Sequence, residues 1–177
     1  MLGKIVVVLG LVILVFFGYV YSRPSTMLIS RELLIKASPE KLFPYINNAQ
    51  KSNEWMPWAE SDPGVKMVYT GPQEGVGAIS SWDSTGKMGT GQAEVIESVA
   101  LKVVKTQLTY TKPMVMKQLA EVSLNPTAEG TVVKWSVTGE HGFMGKLFGV
   151  LMNMDTMVGG EFEKGLAKLK AIAEASP

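Results

Sequence analysis

The sequence predicts an α+β domain in which a curved antiparallel sheet wraps around a long carboxy-terminal helix, with a transmembrane helix in front of it. Three observations support this prediction. An unbroken apolar run occupies residues 5–21, short segments of alternating apolar and polar residues fill residues 62–138, and apolar residues recur at helical spacing after residue 142. The alternation of strands and helices that is typical of a parallel sheet does not occur, so the sheet is expected to be antiparallel.

The composition excludes several classes of function. The chain has 177 residues, which leaves room for one domain after the apolar run. Seventeen basic and sixteen acidic residues give a net charge of +1, so we expect no nucleic-acid partner. The chain has no cysteine, which excludes disulfides and thiolate catalysis, and a single histidine, which offers no metal pair. We therefore expect no metal and no cofactor.

The apolar run predicts membrane contact through residues 5–21. As a helix, this run would rise about 25 Å, which is close to the thickness of a bilayer core. Tyr19 and Tyr21 suit the bilayer interface, and Pro24 would end the helix just outside it. The alternative is a cleaved signal peptide, which would have small residues before the cleavage site.

These features divide the chain into three parts. We expect a transmembrane anchor at residues 1–22, a linker at 23–28 and the folded domain at 29–175. Lys4 and the amino terminus lie on one side of the anchor and Arg23 lies on the other. This small difference in positive charge favours an extracytoplasmic domain in a single-pass membrane protein.

The elements of the domain are predicted in order. A first strand is expected at residues 27–36. Ser38, Pro39 and Glu40 then form a helix start, with a hydroxyl cap, a proline at the first helical position and an early acid. This helix is expected to end at Asn47 and Asn48.

The remaining strands are separated by turn-forming residues. We expect them at residues 65–70, 77–83, 90–98, 101–109, 115–124 and 131–138. Gly86, Gly89 and Gly91 lack the spacing of a phosphate loop and predict a hairpin with a bulge. The terminal helix is predicted from the spacing of Phe162, Leu166, Leu169 and Ala173.

Four stretches of this chain resemble a known superfamily. They are ASPEKLFPYI (37–46), NEWMPW (53–58), GPQEGVGA (71–78) and MNMDTMVGGEFEKGLAKLK (152–170). The chain resembles the START-like superfamily of polyketide cyclases and lipid-transport proteins, and more narrowly its bacterial SRPBCC members. This resemblance implies the helix-grip fold, an internal cavity and hydrophobic ligands. The superfamily includes carriers, cyclases and quinone-binding proteins, and its minimal domain has no membrane anchor.

Candidate ligand-binding residues follow from strand alternation and from aromatic side chains. Alternate residues of a strand share a face, and the inward faces would line the space under the terminal helix. The aromatic candidates in the predicted 53–58 loop could form a lid or a membrane-surface contact at the mouth of the cavity, or they could plug the edge of the sheet. The alternative for every candidate is simple core packing. The set is Trp55, Trp58, Trp82, Val104, Leu108, Tyr110, Met116, Gln118, Ala120, Trp135, Met152 and Phe162.

Two residues are candidate catalytic groups. His141 is the only imidazole and lies at the junction between the last strand and the helical region. Asp155 lies among methionines, where an apolar surrounding could raise its pKa and make it a general acid. A role as a helix cap or as a solvated carboxylate is the alternative for Asp155.

Three functions remain open at this stage. The first is binding or transport of an apolar small molecule, such as a lipid, a quinone or a polyketide-like compound, by a membrane-tethered domain. The second is a cyclase or hydratase that uses His141 or Asp155. The third is a packed interaction or stress-response domain without a ligand.

Overall fold

The computed structural model describes residues 2–58, 62, 64–86, 88–140 and 142–175. The amino-terminal region contains α1 (Leu2–Ser22), β1 (Thr26–Ile35), α2 (Pro39–Asn47) and α3 (Ala49–Trp55). The strands that follow are β2 (Lys66–Thr70), β3 (Ile79–Asp83), β4 (Thr90–Val99), β5 (Val103–Lys112), β6 (Met116–Thr127) and β7 (Gly130–Glu140). The carboxy-terminal region contains α4 (Phe143–Leu151) and α5 (Met154–Ala175).

The seven strands form one antiparallel sheet in the order β1-β7-β6-β5-β4-β3-β2. Strands β2 to β7 follow one another as hairpins, and β1 pairs with β7 at the far edge. The long helix α5 packs mainly against β1, and also against β7, α2 and α3. This arrangement confirms the predicted α+β fold with a helix-grip architecture.

A short helix lies where the sequence analysis predicted a loop. Trp55 ends α3, and the 53–58 segment is therefore partly helical. Asn48 ends α2, as expected, but its side chain also caps α3, because Oδ1 accepts hydrogen bonds from the backbone N–H of Gln50 at 3.0 Å and of Lys51 at 3.1 Å. Ser38 occupies the N-cap position of α2, but its hydroxyl caps no backbone N–H.

The buried face of α5 is the one predicted from residue spacing. Phe162, Leu166, Leu169 and Ala173 are all buried. Gly165 lies on the same side, and a Cβ atom at this position would lie 2.9 Å from Cζ3 of Trp135. The absence of a side chain at Gly165 therefore lets α5 approach the sheet closely.

A charged contact fixes the start of α5 on β1. Nη2 of Arg31 is 2.9 Å from Oδ2 of Asp155, and Nε of Arg31 is 2.8 Å from Oε1 of Glu163. The guanidinium lies over Gly159, where any Cβ atom would collide with it. One arginine on the sheet thus bridges two turns of the helix.

The apolar helix α1 precedes this domain. Residues Gly3–Ser22 have a mean hydropathy of 2.6, and α1 is the one helix in the described part of the chain that is long and apolar enough to cross a bilayer. A signal sequence near the amino terminus has the same properties. Strand β1 begins at Thr26, inside the segment expected to be a linker.

Candidate ligand site on the concave face

One row of inward-facing side chains crosses all seven strands and is only partly covered. Each member pairs with the next across the sheet, and every member is half-buried. We call it the open row, and it consists of Tyr69, Ser80, Ala93, Leu108, Gln118, Gly139 and Met27. Helix α5 packs mainly on β1, at one edge of the sheet, and less on β7. The open row is therefore the part of the concave face in which no member is fully buried.

The opposite end of the concave face is filled by aromatic rings. The Trp135 ring stacks on Phe162 at a centroid distance of 4.1 Å, and Trp55 and Trp58 meet its edge at 5.0 and 6.3 Å. We call these four residues the aromatic cluster. Val104 and Val122 pair beside Trp135 and are buried as well. This end of the concave face is therefore filled by packed side chains.

Hydrogen-bonding groups without a protein partner lie on this mostly apolar surface. Tyr69, Ser80 and Gln118 belong to the open row, Thr106 pairs with Ala120 in the next row, and Tyr110 lies beyond the open row on β5. None of their side chains has a hydrogen-bond partner among the residues that the structure describes. In that part of the chain, every fully buried side-chain nitrogen or oxygen has a partner. The polar atoms without a partner are therefore at least partly accessible to solvent.

Burial raises the pKa of Tyr69 and of Tyr110. Both phenols therefore stay protonated at neutral pH and remain able to donate a hydrogen bond. An apolar surface with a few such groups can bury a hydrophobic molecule and fix the orientation of its polar end.

An aromatic pair bounds the open row toward the β5–β6 turn. Trp82 and Tyr110 make an edge-to-face contact at 5.5 Å. The Trp82 ring lies against Gly91, where a Cβ atom would be 2.5 Å from Cζ2, so glycine is required beneath it. Met116 pairs with Tyr110 and is half-buried.

An open depression of about 510 Å³ adjoins this end of the sheet. Met27, Gln118 and Gly139 of the open row line it, together with outward-facing residues such as Leu28 and Lys117. Most of its lining residues lie on the outer face of the sheet, so this recess is not part of the concave face.

The predicted ligand-binding residues fall into three groups. Leu108, Gln118 and Ala120 lie in or next to the open row, with Tyr110, Met116 and Trp82 beside it. Val104 is buried beside the aromatic cluster, to which Trp55, Trp58, Trp135 and Phe162 belong. Met152 is exposed between α4 and α5. Ligand contact by any of these residues stays a prediction.

The structure changes the interpretation of Asp155. Hydrogen bonds from Arg31 hold the pKa of this carboxyl below its ordinary value. The expectation of a raised pKa was wrong, because the methionines that are near in sequence leave the carboxyl exposed and paired with a cation. His141 lies outside the described residues. Within the described ranges, no group of three or more acidic or histidine side chains could hold a metal ion.

Of the seven members of the open row, only Leu108 and Gln118 belong to the set of candidates predicted from the sequence. Tyr69, Ala93 and Met27 were not among the candidates for ligand contact. Alternation within β2 would have indicated that Tyr69 shares a face with Met67. Arg31 was also missed, although it lies two residues after the buried Ile29 and therefore on the same face of β1.

The fold recurs in solved structures of low sequence identity. A protein from Chromobacterium violaceum has a TM-score of 0.60 at 13% identity, and the match covers 87% of this chain and all of that one. The Aha1 dimer from Colwellia psychrerythraea has a TM-score of 0.59 at 19% identity, covering 84% of this chain and 97% of that one. The di-domain ARO/CYC StfQ of the steffimycin biosynthetic pathway has a TM-score of 0.60 at 15% identity, covering 84% of this chain and 51% of that one.

A search of curated proteins finds no match to this chain. A family model, in contrast, matches residues 27–174, which include the whole sheet except Thr26, all of α5 except Ala175, and every residue of the open row. The model is described as polyketide cyclase / dehydrase and lipid transport. Because this model matches most of the chain, the chain belongs to the polyketide cyclase / dehydrase and lipid transport family.

Proposed function

We propose that this protein binds a hydrophobic small molecule on the open row and exchanges it with a membrane to which α1 tethers the domain. The open row is the observation that supports this function most directly. Its members are only partly buried on every strand, whereas the same face is closed around the aromatic cluster. A lipid, a quinone or a polyketide-like compound fits the mixture of apolar surface and unpaired hydroxyl and amide groups.

The binding energy would come mainly from apolar contact. Each Å² of apolar surface removed from water contributes about 25 cal/mol. Ala93 and Ala120 have small side chains, which would occupy little of the volume that a ligand needs. Gln118, Thr106 or Tyr110 would fix the orientation of the polar end of the ligand, because each can donate a hydrogen bond.

Lipid extraction and mass spectrometry of the full-length protein test this function. We expect a hydrophobic compound to copurify with the wild type and to be lost in Ala93→Trp, in which an indole fills the open row. Gln92→Trp is the matched control, because Gln92 is the neighbouring exposed residue and points to the other face of β4. Absence of a bound compound from the wild type, or equal amounts in both variants, would contradict the proposal.

A further inference from the structure

We propose that α4 lies in the surface of the bilayer beside α1 and holds the open row at the membrane, so that the ligand enters from the lipid phase. This inference rests on the proposed function, because it requires α1 to be in a membrane. It adds a second membrane contact and a direction of entry.

The first observation is an apolar face of α4 that is largely exposed. Met144, Phe148 and Leu151 recur at spacings of four and three residues and are 53%, 43% and 64% exposed. Met152 continues this face and is 44% exposed. None of the residues of α4 is buried. We call these four residues the α4 face, and a cluster of this kind is unfavourable in water and typical of a contact surface.

The second observation is that α4 is attached to the end of α1. The rings of Phe17 and Phe143 stack at a centroid distance of 5.8 Å. Nζ of Lys146 donates a hydrogen bond to the backbone oxygen of Tyr21 at 3.0 Å and lies 5.5 Å from the centre of the Tyr21 ring. Lys146 is the only charged residue of α4, so nothing on the α4 face itself resists burial in lipid.

The depth of this attachment matches the bilayer interface. Phe17 lies five residues before Ser22, the last residue of α1, which corresponds to about 7 Å along a helix axis. Interfacial helices bury their apolar face by about 5–10 Å, and tyrosines such as Tyr19 and Tyr21 favour the same level. An open groove of about 600 Å³ between α1 and α4 is lined by Ile13, Leu14 and other apolar residues, which an acyl chain can contact. The occupant of the α4 face is therefore assigned as lipid rather than protein.

The third observation concerns the direction from which a ligand would enter. Met27 and Gly139 pair at the β1–β7 edge of the open row. Met27 follows the end of α1 by five residues, and Gly139 precedes the start of α4 by four. Both apolar helices thus join the sheet at the open row and not at the aromatic cluster. The β5–β6 turn projects beyond the open row at the same end, and it exposes Met114 and Val115, the latter at 83%. With α4 in the interface, the open row faces the bilayer.

Site-specific fluorescence of the full-length protein in phosphatidylcholine vesicles tests this arrangement. The chain has no cysteine, so Phe148→Cys and Leu151→Cys each accept one NBD label without a background signal. Val76→Cys and Val99→Cys are matched controls, because both residues are exposed (59% and 41%) at the other end of the sheet, Val76 in the turn before β3 and Val99 at the end of β4. Leu9→Cys reports on the middle of α1.

We expect blue-shifted NBD emission at Phe148 and Leu151, with quenching by spin labels near the lipid headgroups. Labels at Val76 and Val99 should show the emission of water and no quenching, and the label at Leu9 should be quenched by spin labels deep in the chains. Emission at Phe148 and Leu151 like that at Val76 would overturn the α4 assignment while leaving the tether intact. Self-quenching that rises with protein density would assign the α4 face to a second copy and also overturn it. A Leu9 label that lipid does not quench would instead contradict the tether and the proposed function.

Discussion

Two glycines of α5 allow the packing of the aromatic cluster to be measured with a single added methyl group. A Cβ atom at residue 165 would lie 2.9 Å from Cζ3 of Trp135 and 3.2 Å from Cδ of Pro57. A Cβ atom at residue 160 would have no neighbour within 4 Å. Gly165→Ala and Gly160→Ala therefore make the same chemical change in the same helix. Residue 165 lies at a packed position, and residue 160 lies at a position with no close neighbour.

The expected magnitudes have opposite signs. Replacing glycine by alanine inside a helix stabilises it by about 1 kcal/mol. Overpacking a filled core costs about 1–3 kcal/mol, and the Trp135 ring cannot move away because Phe162 stacks on it and Trp55 and Trp58 meet its edge. We expect Gly160→Ala to gain about 1 kcal/mol and Gly165→Ala to fall about 1–3 kcal/mol below it in the free energy of unfolding.

Chemical denaturation of the full-length protein in detergent, followed by tryptophan fluorescence, measures this difference. The wild type provides the reference, and Gly160→Ala provides the control for helix propensity. If Gly165→Ala were stabilised as much as Gly160→Ala, α5 would not press against Trp135. The division of the concave face into a filled end and an open row would then be incorrect.

Three further outcomes follow from the same structure. Trp135→Ala should lower the free energy of unfolding by about 3–5 kcal/mol in the same denaturation assay, and a loss below about 1 kcal/mol would show that its ring is not central to the core. Because Arg31 lowers the folded-state pKa of Asp155 below its ordinary value of 3.8, this pair should stabilise the fold above about pH 4 and lose that contribution as the pH falls through the folded-state pKa. Asp155→Asn should flatten this part of the plot of stability against pH, and an unchanged plot would contradict the pairing. If Gln118 and Thr106 form hydrogen bonds with the polar end of the ligand, Gln118→Leu and Thr106→Val should each weaken ligand affinity by about 2- to 10-fold in titrations with the extracted compound, with no loss of stability. Wild-type affinity in both variants would exclude that role.

The strand pattern of this chain was predictable because alternation and turn residues are local signals. Leu108 and Tyr110 could be assigned to one face from their spacing alone, and the buried residues of α5 followed from helical spacing in the same way. The helix α3 could not be predicted, since it has seven residues and shares the cap residue Asn48 with the end of α2. A helix of this length has almost no periodic signal of its own.

The site was less accessible to sequence analysis than the fold. Membership of the open row depends on the register of seven strands and on which strands α5 covers, and neither property is local. The pairing of Asp155 with Arg31 joins residues that are 124 positions apart. The methionines near Asp155 in sequence therefore suggested an apolar surrounding that the folded chain does not provide.

Photocrosslinking in native membranes is the most direct test of the central claim that the open row holds a hydrophobic ligand. Benzoylphenylalanine at Leu108 would face the open row, and the same group at the adjacent Thr109 would face the other side of β5. We predict a small-molecule adduct, seen by intact-protein mass spectrometry, at residue 108 and none at residue 109. Adducts at both positions, or at neither, would contradict ligand binding on the open row.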